Sequence, residues 1–116
     1  MSQFENKTVI ITGASAGIGR ATALEFAKQG ANVALADINM PGIEETAKLI
    51  TENGGTAIVI NTNVASMEDC QNMVDKTVAE FGQLDVIFNN AGIAGERAMV
   101  EDTSTEMWQK VIDINL

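Results

Sequence analysis

The chain has 116 residues, of which 7 are basic and 16 acidic, so it carries a formal charge of −9. Residues 1–116 suffice for one domain, and with 46% apolar and 20% charged residues they supply a packed core rather than a disordered chain. The sequence contains no His and no Tyr, which excludes His-based hydrolytic triads, His metal ligands and a Tyr proton donor within these residues.

Four short apolar runs alternate along the chain with segments of helical composition. The runs are rich in β-branched residues and largely lack polar alternation, which is typical of strands buried on both faces. They predict β-strands over residues 8–11, 32–36, 56–60 and 84–88. Helices are predicted over residues 18–29, 41–53 and 66–81, and a fourth is predicted to open at Thr103 and Glu106 and to continue to the end of the chain.

Residues with defined roles at helix ends support these boundaries. Pro41 suits the first turn of the second helix, and Ser66 with Asp69 resembles a capping pair for the third. Gly30 stands where a left-handed residue is expected to end the first helix. Alternating strands and helices, joined by right-handed crossovers, predict an α/β fold: a doubly wound parallel sheet of four strands with helices on both faces.

The predicted sheet ends at its fourth strand, although parallel sheets of this type usually continue. We therefore expect residues 1–116 to be the first part of a larger unit. Residues 86–88 of the fourth strand would then form an open apolar edge, which predicts self-association of the isolated chain.

A glycine-rich turn, residues 12–19, joins the first strand to the first helix. Glycines in this place allow a tight turn and the close approach of a pyrophosphate, whose charge the free N–H groups of the helix start attract. The spacing Gly-x-x-x-Gly-x-Gly of Gly13, Gly17 and Gly19 differs from the Walker pattern, which disfavours kinase-like phosphate handling. Any tight connection can require glycine, so the turn alone is weak evidence of function.

Asp37 strengthens the evidence from the turn. It ends the second predicted strand 18 positions after Gly19, close to the roughly 20 expected for a carboxylate that binds an adenosine ribose. An isolated Asp here would otherwise be read as a solvated loop residue or a helix cap. A carboxylate accepts hydrogen bonds from free ribose hydroxyls and repels a 2′-phosphate, so Asp37 predicts NAD(H) in preference to NADP(H).

Four motifs in order resemble the short-chain dehydrogenase/reductase family over the whole chain. They are Thr12-Gly13-x-x-x-Gly17-x-Gly19, Asp37, the sequence Asn-Asn-Ala-Gly at residues 89–92, and Asn115. The resemblance implies a Rossmann-type fold, here incomplete relative to the family, and an NAD(P)-dependent oxidoreductase that acts on a small alcohol or carbonyl substrate, for which Asp37 favours NAD. It also implies a homo-oligomer, because the helix near Trp108 often forms a subunit contact in the family.

The resemblance also assigns cofactor-binding residues. Gly13, Ser15, Ala16, Gly17, Ile18 and Gly19 would lie along the phosphates, Asp37 would hold the ribose, Asn63 and Val64 would lie beside the adenine, and Asn90, Ala91 and Gly92 would lie near the cofactor. Many family members have Asp-Val where this chain has Asn63-Val64, which keeps a hydrogen-bonding group but loses a charge. Either Asn89 or Asn90 could instead satisfy loop backbone, the commoner use of Asn at a turn.

Asn115 matches the family's active-site Asn, which holds a water in the proton relay. Without the family it would be interpreted as the C-terminal cap of a helix. The family's catalytic Ser and its Tyr-x-x-x-Lys pair match nothing in residues 1–116 and belong downstream. Residues 1–116 are thus expected to bind NAD but to lack the groups that catalyse hydride transfer. The alternative function is that of a non-catalytic dinucleotide-binding or regulatory module.

The other candidate residues have structural interpretations. Cys70 lies on an apolar helical stripe and is therefore predicted to be a core residue. Arg20 is interpreted as a surface helix residue rather than a phosphate ligand. A lone cysteine also favours a reducing, cytoplasmic location. The acidic charge disfavours nucleic acid as a partner, and no run approaches the roughly 18 apolar residues of a membrane span, so no membrane partner is expected.

Overall fold

Strands and helices alternate over residues 8–89 of the computed structural model, which describes residues 4–90 and the backbone of residues 112–115. The strands are β1 (Thr8–Thr12), β2 (Asn32–Asp37), β3 (Thr56–Asn61), β4 (Val86–Asn89) and β5 (Ile112–Asn115). The helices are α1 (Gly17–Lys28), α2 (Met40–Glu52) and α3 (Met67–Phe81). All three described helices and the first four strands lie where the sequence predicts them, with ends that differ by one or two residues.

The strands form one parallel sheet in the order β3-β2-β1-β4-β5. Because the chain steps outward from β1 to β3 and then returns to place β4 on the other side of β1, the strand order reverses beside β1. Ligands of doubly wound sheets bind at such a switch point, beyond the carboxyl ends of the strands. The predicted Rossmann-type topology is confirmed.

Side chains of each central strand alternate between two apolar layers. Val9 and Ile11 of β1 pack with α1 and α2 on one face of the sheet. Ile10 of β1 packs with Met73 and Val74 of α3 on the opposite face. β1 is fully buried along its length because helices cover both faces, which explains why its sequence shows no polar alternation.

The helix ends at Ser66 and Gly30 follow the signals predicted from the sequence, and Asn39 and Gly82 define two further ends. The Ser66 hydroxyl accepts a hydrogen bond from the Asp69 N–H at 3.1 Å and so caps α3. Gly30, after α1, and Gly82, after α3, have φ values of 91° and 79°, in the left-handed region that favours glycine. Asn39 caps α2 by accepting from the Gly42 N–H at 3.0 Å. The chain direction at each turn is therefore set by local hydrogen bonds and glycine conformation.

The prediction of a fourth helix running to the end of the chain is wrong, because residues 112–115 form β5. β5 pairs with β4 in parallel, with Val86 opposite Ile112 and Asn89 opposite Asn115. The sheet therefore has five strands instead of four, and β4 is not the open edge that the sequence predicted. The self-association expected from that edge loses its structural basis.

Several predictions fall on residues that the structure does not describe. The start of the predicted fourth helix at Thr103 and Glu106 lies outside the described residues, as does Trp108. Within residues 4–90 and 112–115, no helix is long and apolar enough to cross a membrane.

Thr8 and Thr46 provide a matched test of buried hydroxyl groups. Both side chains are fully buried, but the Thr8 hydroxyl has no hydrogen-bond partner among the described residues, whereas the Thr46 hydroxyl contacts Ala14 O and Arg20 Nε. Thr8→Val should raise the free energy of unfolding by about 1 kcal/mol, because an unpaired buried hydroxyl is costly to desolvate. Thr46→Val should lower it by about 1–2 kcal/mol, because it leaves buried polar groups unpaired.

Chemical denaturation of the three proteins measures both differences. A Thr8→Val protein that is less stable than the unmutated chain would contradict this account of the Thr8 hydroxyl.

Candidate functional site

The candidate site lies at the carboxyl edge of the sheet, around the ends of β1, β2 and β4. These strands end at Thr12, Asp37 and Asn89. The glycine turn follows Thr12, and Asn90 follows β4. Parallel pairing of β1 with both β2 and β4 therefore brings together three segments that are far apart in sequence.

The glycine turn requires close approach of its own backbone. A Cβ on Gly19 would lie 2.0 Å from the carbonyl oxygen of Gly13 and 2.8 Å from Nδ2 of Asn90. No side chain fits in that space, so α1 can start directly behind the turn only with glycine at this position. Gly13 itself has φ 62°, a left-handed conformation that L side chains rarely adopt.

Gly17 opens the turn toward solvent at the start of α1. Its φ is 57°, and a Cβ there would meet nothing within 4 Å. The neighbouring Ala16 and Ile18 are exposed, Ile18 to 64%. α1 has no side-chain cap at Ala16, whereas side chains of Asn39 and Ser66 cap α2 and α3. Among the described residues no side chain thus caps the first N–H groups of α1, which lie at the positive end of the helix dipole, and this arrangement suits a phosphate.

Asp37 lies half-buried at the end of β2, and its carboxylate spans the gap to the glycine turn. Oδ2 accepts a hydrogen bond from the Ser15 N–H at 3.2 Å, and Oδ1 accepts from the Asn39 N–H at 3.1 Å. These bonds leave lone pairs on both oxygens, because a carboxylate accepts about four hydrogen bonds. The carboxylate is held in place beside the turn and can still accept from hydroxyl groups of a ligand.

Asn90 joins the end of β4 to the turn. Its N–H donates to the Thr12 hydroxyl at 3.0 Å, and its Nδ2 donates to the Gly13 carbonyl at 3.2 Å. The structural interpretation of Asn90, satisfying loop backbone, is therefore correct. Its Oδ1 accepts no hydrogen bond from any described residue and can still face a ligand.

Asn63 and Val64 follow β3 at the same edge of the sheet. The Asn63 Oδ1 accepts from the Ala65 N–H at 3.0 Å, while its Nδ2 donates to no acceptor in the described part of the chain. Val64 is buried against Cys70, which confirms that Cys70 is a core residue. Asn63 thus presents an amide donor at the surface next to β2.

The predicted residues beyond Asn90 are only partly described. Ala91 and Gly92 lie outside the described residues. The backbone of Asn115 pairs in register with Asn89, so Asn115 stands at the carboxyl end of β5, one strand beyond β4. It is a strand residue rather than the cap of a helix, and it lies at the same edge of the sheet as the glycine turn.

Arg20 is the residue whose interpretation changes most. Its side chain is only 25% exposed, and its Nη2 lies 2.6 Å from the Ser15 carbonyl oxygen. The prediction of a surface helix residue is therefore wrong. The contact could not be seen in the sequence, because it depends on how α2 packs beside the turn.

The described residues form a cavity elsewhere in the fold, and they form no metal-binding cluster. A cavity of about 590 Å³ lies at the opposite edge of the sheet, between the ends of α1 and α2, and Leu24, Ala27, Leu49 and Ile50 contribute apolar surface to it. Among residues 4–90 and 112–115 there is no cluster of three or more acidic, Cys or His side chains that could hold a metal ion.

Comparisons with known proteins agree with this geometry. The family model described as short chain dehydrogenase matches residues 7–116. The chain is 44% identical over 115 residues to a cyclohexanol dehydrogenase from Acinetobacter sp. (strain SE19), covering 99% of this chain and 46% of that protein. It is 42% identical over 111 residues to glucose 1-dehydrogenase 2 from Bacillus subtilis (strain 168), covering 95% of this chain and 43% of that protein.

A solved structure of NAD⁺-bound xylitol dehydrogenase superposes with a TM-score of 0.87 at 28% identity, covering 97% of this chain and 53% of that one. The chain spans less than half the length of the two curated relatives. Its match to the family model nevertheless extends over almost every residue, from the start of β1 to the end of β5. The chain belongs to the short-chain dehydrogenase/reductase family.

Proposed function

We propose that this chain is the NAD(H)-binding part of an oxidoreductase that transfers hydride between a nicotinamide cofactor and a small alcohol or carbonyl compound. The observation that carries the proposal is the meeting of the uncapped start of α1, the Asp37 carboxylate and Asn90 at one edge of the sheet. The NAD⁺-bound xylitol dehydrogenase supports it as a structural neighbour.

The residues present fit the charged centre of a dinucleotide. Residues 16–18 are exposed, no described side chain caps the N–H groups at this end of α1, and Gly17 has no side chain to fill the space beside them. A pyrophosphate would be held there by the backbone N–H groups of Ala16 and Ile18 and by the side-chain hydroxyl of Ser15, because the Ser15 N–H is bonded to Asp37. When bound, NAD supplies the hydride acceptor, and the role of these residues is to fix its position.

Asp37 supports NAD(H) over NADP(H). Its carboxylate would accept from the ribose hydroxyls and would repel a 2′-phosphate. A nearby cation could offset that repulsion, but the Arg20 guanidinium is bonded to the Ser15 and Gly42 carbonyls behind the turn. The neighbouring Ile38 is apolar and 68% exposed, so it provides no charge either.

The remaining assignments complete the proposal. Asn63 and Val64 would lie beside the adenine, Asn90 with Ala91 and Gly92 near the cofactor, and Asn115 would hold a water of the proton relay. The enzyme would be a cytoplasmic homo-oligomer, an expectation that rests on the single Cys70 and on the family. Its substrate would be an alcohol or carbonyl compound, as the names of the cyclohexanol and glucose dehydrogenases suggest.

Gly19→Ala tests whether the turn binds the cofactor. The added methyl group would meet the Gly13 carbonyl at 2.0 Å, so α1 and the turn must separate. The affinity for NADH, measured by calorimetric titration, should fall at least about tenfold, which corresponds to about 1.4 kcal/mol. Gly82→Ala is the control: its φ of 79° also makes the substitution straining, but a Cβ there meets nothing within 4 Å among the described residues and Gly82 lies at the end of α3, so the affinity for NADH should not change. Equal losses of affinity in both variants would count against the proposal.

Replacing Asp37 tests the choice of cofactor. Asp37→Ser combined with Ile38→Arg removes the repelling carboxylate and adds a cation, so the preference should move toward NADPH by about 100-fold, given that like-charge contacts cost several kcal/mol. Asp37→Asn is the control that removes the charge while keeping the shape. Binding constants for NADH and NADPH provide the measurement, and an unmutated chain that binds NADPH as tightly as NADH would overturn the assignment.

The isolated 116 residues should show no dehydrogenase turnover. The chain has no Tyr or His to donate a proton to the developing alkoxide, and the Asn115 amide is not an acid at neutral pH. Absorbance of NADH, followed over a panel of alcohols and ketones, checks this expectation. If the chain shows turnover above the buffer blank and Gly17→Trp abolishes it, the inference that these residues bind the cofactor but lack the groups for catalysis is wrong.

A further inference from the structure

Arg20, in the second turn of α1, links two elements on the hidden side of the glycine turn. Its Nη2 donates to the Ser15 carbonyl at 2.6 Å and to the Gly42 carbonyl at 3.1 Å, and its Nε donates to the Thr46 hydroxyl at 2.9 Å. Ser15 belongs to the turn, whereas Gly42 and Thr46 belong to α2. The guanidinium plane therefore joins the turn to the first half of α2.

Thr46 also bonds to the glycine turn. Its buried hydroxyl oxygen lies 2.8 Å from the Ala14 carbonyl oxygen and 3.2 Å from that of Gly42. Its single proton can serve one of these acceptors at a time, and the shorter contact favours Ala14. The carbonyls of Ala14 and Ser15, which are consecutive residues of the turn, are thus held by Thr46 of α2 and by Arg20 of α1, respectively.

The packing beside these bonds is close. A Cβ on Gly42 would lie 2.5 Å from the Cβ of Ser15, so the first turn of α2 touches the glycine turn without an intervening side chain. Arg20 also lies 3.6 Å from the Glu45 carboxylate, but Glu45 is 66% exposed and its contribution is small.

We propose that Arg20 is a positioning residue for the cofactor turn: its guanidinium fixes the Ser15 carbonyl, in the peptide next to the one whose N–H is bonded to Asp37, and so keeps the Ser15 N–H directed at the Asp37 carboxylate. The carbonyl of Ser15 faces Arg20 at 2.6 Å while its N–H faces Asp37 Oδ2 at 3.2 Å. Loss of the guanidinium frees this residue, and Asp37 then loses the donor that aims it. The inference rests on the proposed NAD(H) binding and adds a residue that discriminates between the two cofactors without contacting either.

A positioning role and a purely electrostatic role of Arg20 predict different results for Arg20→Lys. Lysine keeps the positive charge but lacks the planar fork with which Arg20 contacts acceptors on two elements at once. If Arg20 acted only by attracting the cofactor phosphates, Arg20→Lys would bind NADH as the unmutated chain does. If Arg20 positions the turn, Arg20→Lys remains impaired.

The test compares the unmutated chain with Arg20→Met, Arg20→Lys and Thr46→Val by titration with NADH and NADPH, followed by ¹H–¹⁵N NMR. Arg20→Met should weaken NADH binding about tenfold, the size expected for lost charged hydrogen bonds, and NADPH binding less, so that the ratio of the two constants narrows. Thr46→Val, which removes only the hydroxyl, should act as Arg20→Met does: it should weaken NADH binding more than NADPH binding and so narrow the ratio of the two constants. Lys48→Met, which removes an exposed cation from α2, is the control and should bind as the unmutated chain does.

The Ser15 amide provides a readout that needs no cofactor. Its hydrogen exchange in the ligand-free chain should speed up at least tenfold in Arg20→Met, relative to the β1 amides of the same protein. Unchanged Ser15 exchange, full rescue by lysine, or parallel losses of NADH and NADPH affinity would each overturn the proposal. If Arg20→Met fails to fold, Thr46→Val decides by the same criteria. If the unmutated chain binds no NADH, the proposed function fails, and Ser15 exchange alone decides the role of Arg20.

Discussion

The contact between the Gly13 carbonyl and the backbone of Gly19 is the constraint on which the candidate site depends. Only hydrogen fits at Gly19 Cα, since a methyl carbon would lie 2.0 Å from that oxygen. This contact lets α1 begin immediately behind β1, so that its first N–H groups, which no described side chain caps, lie at the carboxyl edge of the sheet. The contacts of Asp37, Asn90 and Thr46 with the turn then hold the backbone that Gly13 and Gly19 shape.

The order of the parallel strands brings the residues that make those contacts together. Parallel pairing on both sides of β1 places the ends of β2 and β4 beside the turn, so that residues 37 and 90 meet residues 12–15. Two apolar layers stabilise this arrangement, with α1 and α2 on one face and α3 on the other. The site is therefore formed of loops supported by a buried, doubly covered sheet, an arrangement that keeps ligand-binding groups in fixed positions.

Much of this fold could be predicted from the sequence because its signals are local. Apolar β-branched runs indicated β1 to β4, and Ser66 with Asp69 indicated the start of α3. β5 could not be predicted: Ile112-Asp113-Ile114-Asn115 alternates in polarity, but it is short and is specified by pairing with β4, more than 20 residues earlier. The contacts of Arg20 were hidden for the same reason, because its partners on α2 are 22 and 26 residues away along the chain. The position of Asp37 at the end of β2 could be predicted, because its separation from Gly19 in the sequence lies within one strand–helix–strand unit.

The central claim is that a dinucleotide binds across the glycine turn at the carboxyl edge of the sheet. Mapping amide chemical-shift changes in the unmutated chain during titration with NADH tests it most directly. We expect the largest changes at Gly17 and Ile18, with further changes at Ser15 and Asp37. Changes confined to the cavity at the opposite edge, around Ala27 and Ile50, would contradict the account, because they would place the ligand at the far ends of α1 and α2.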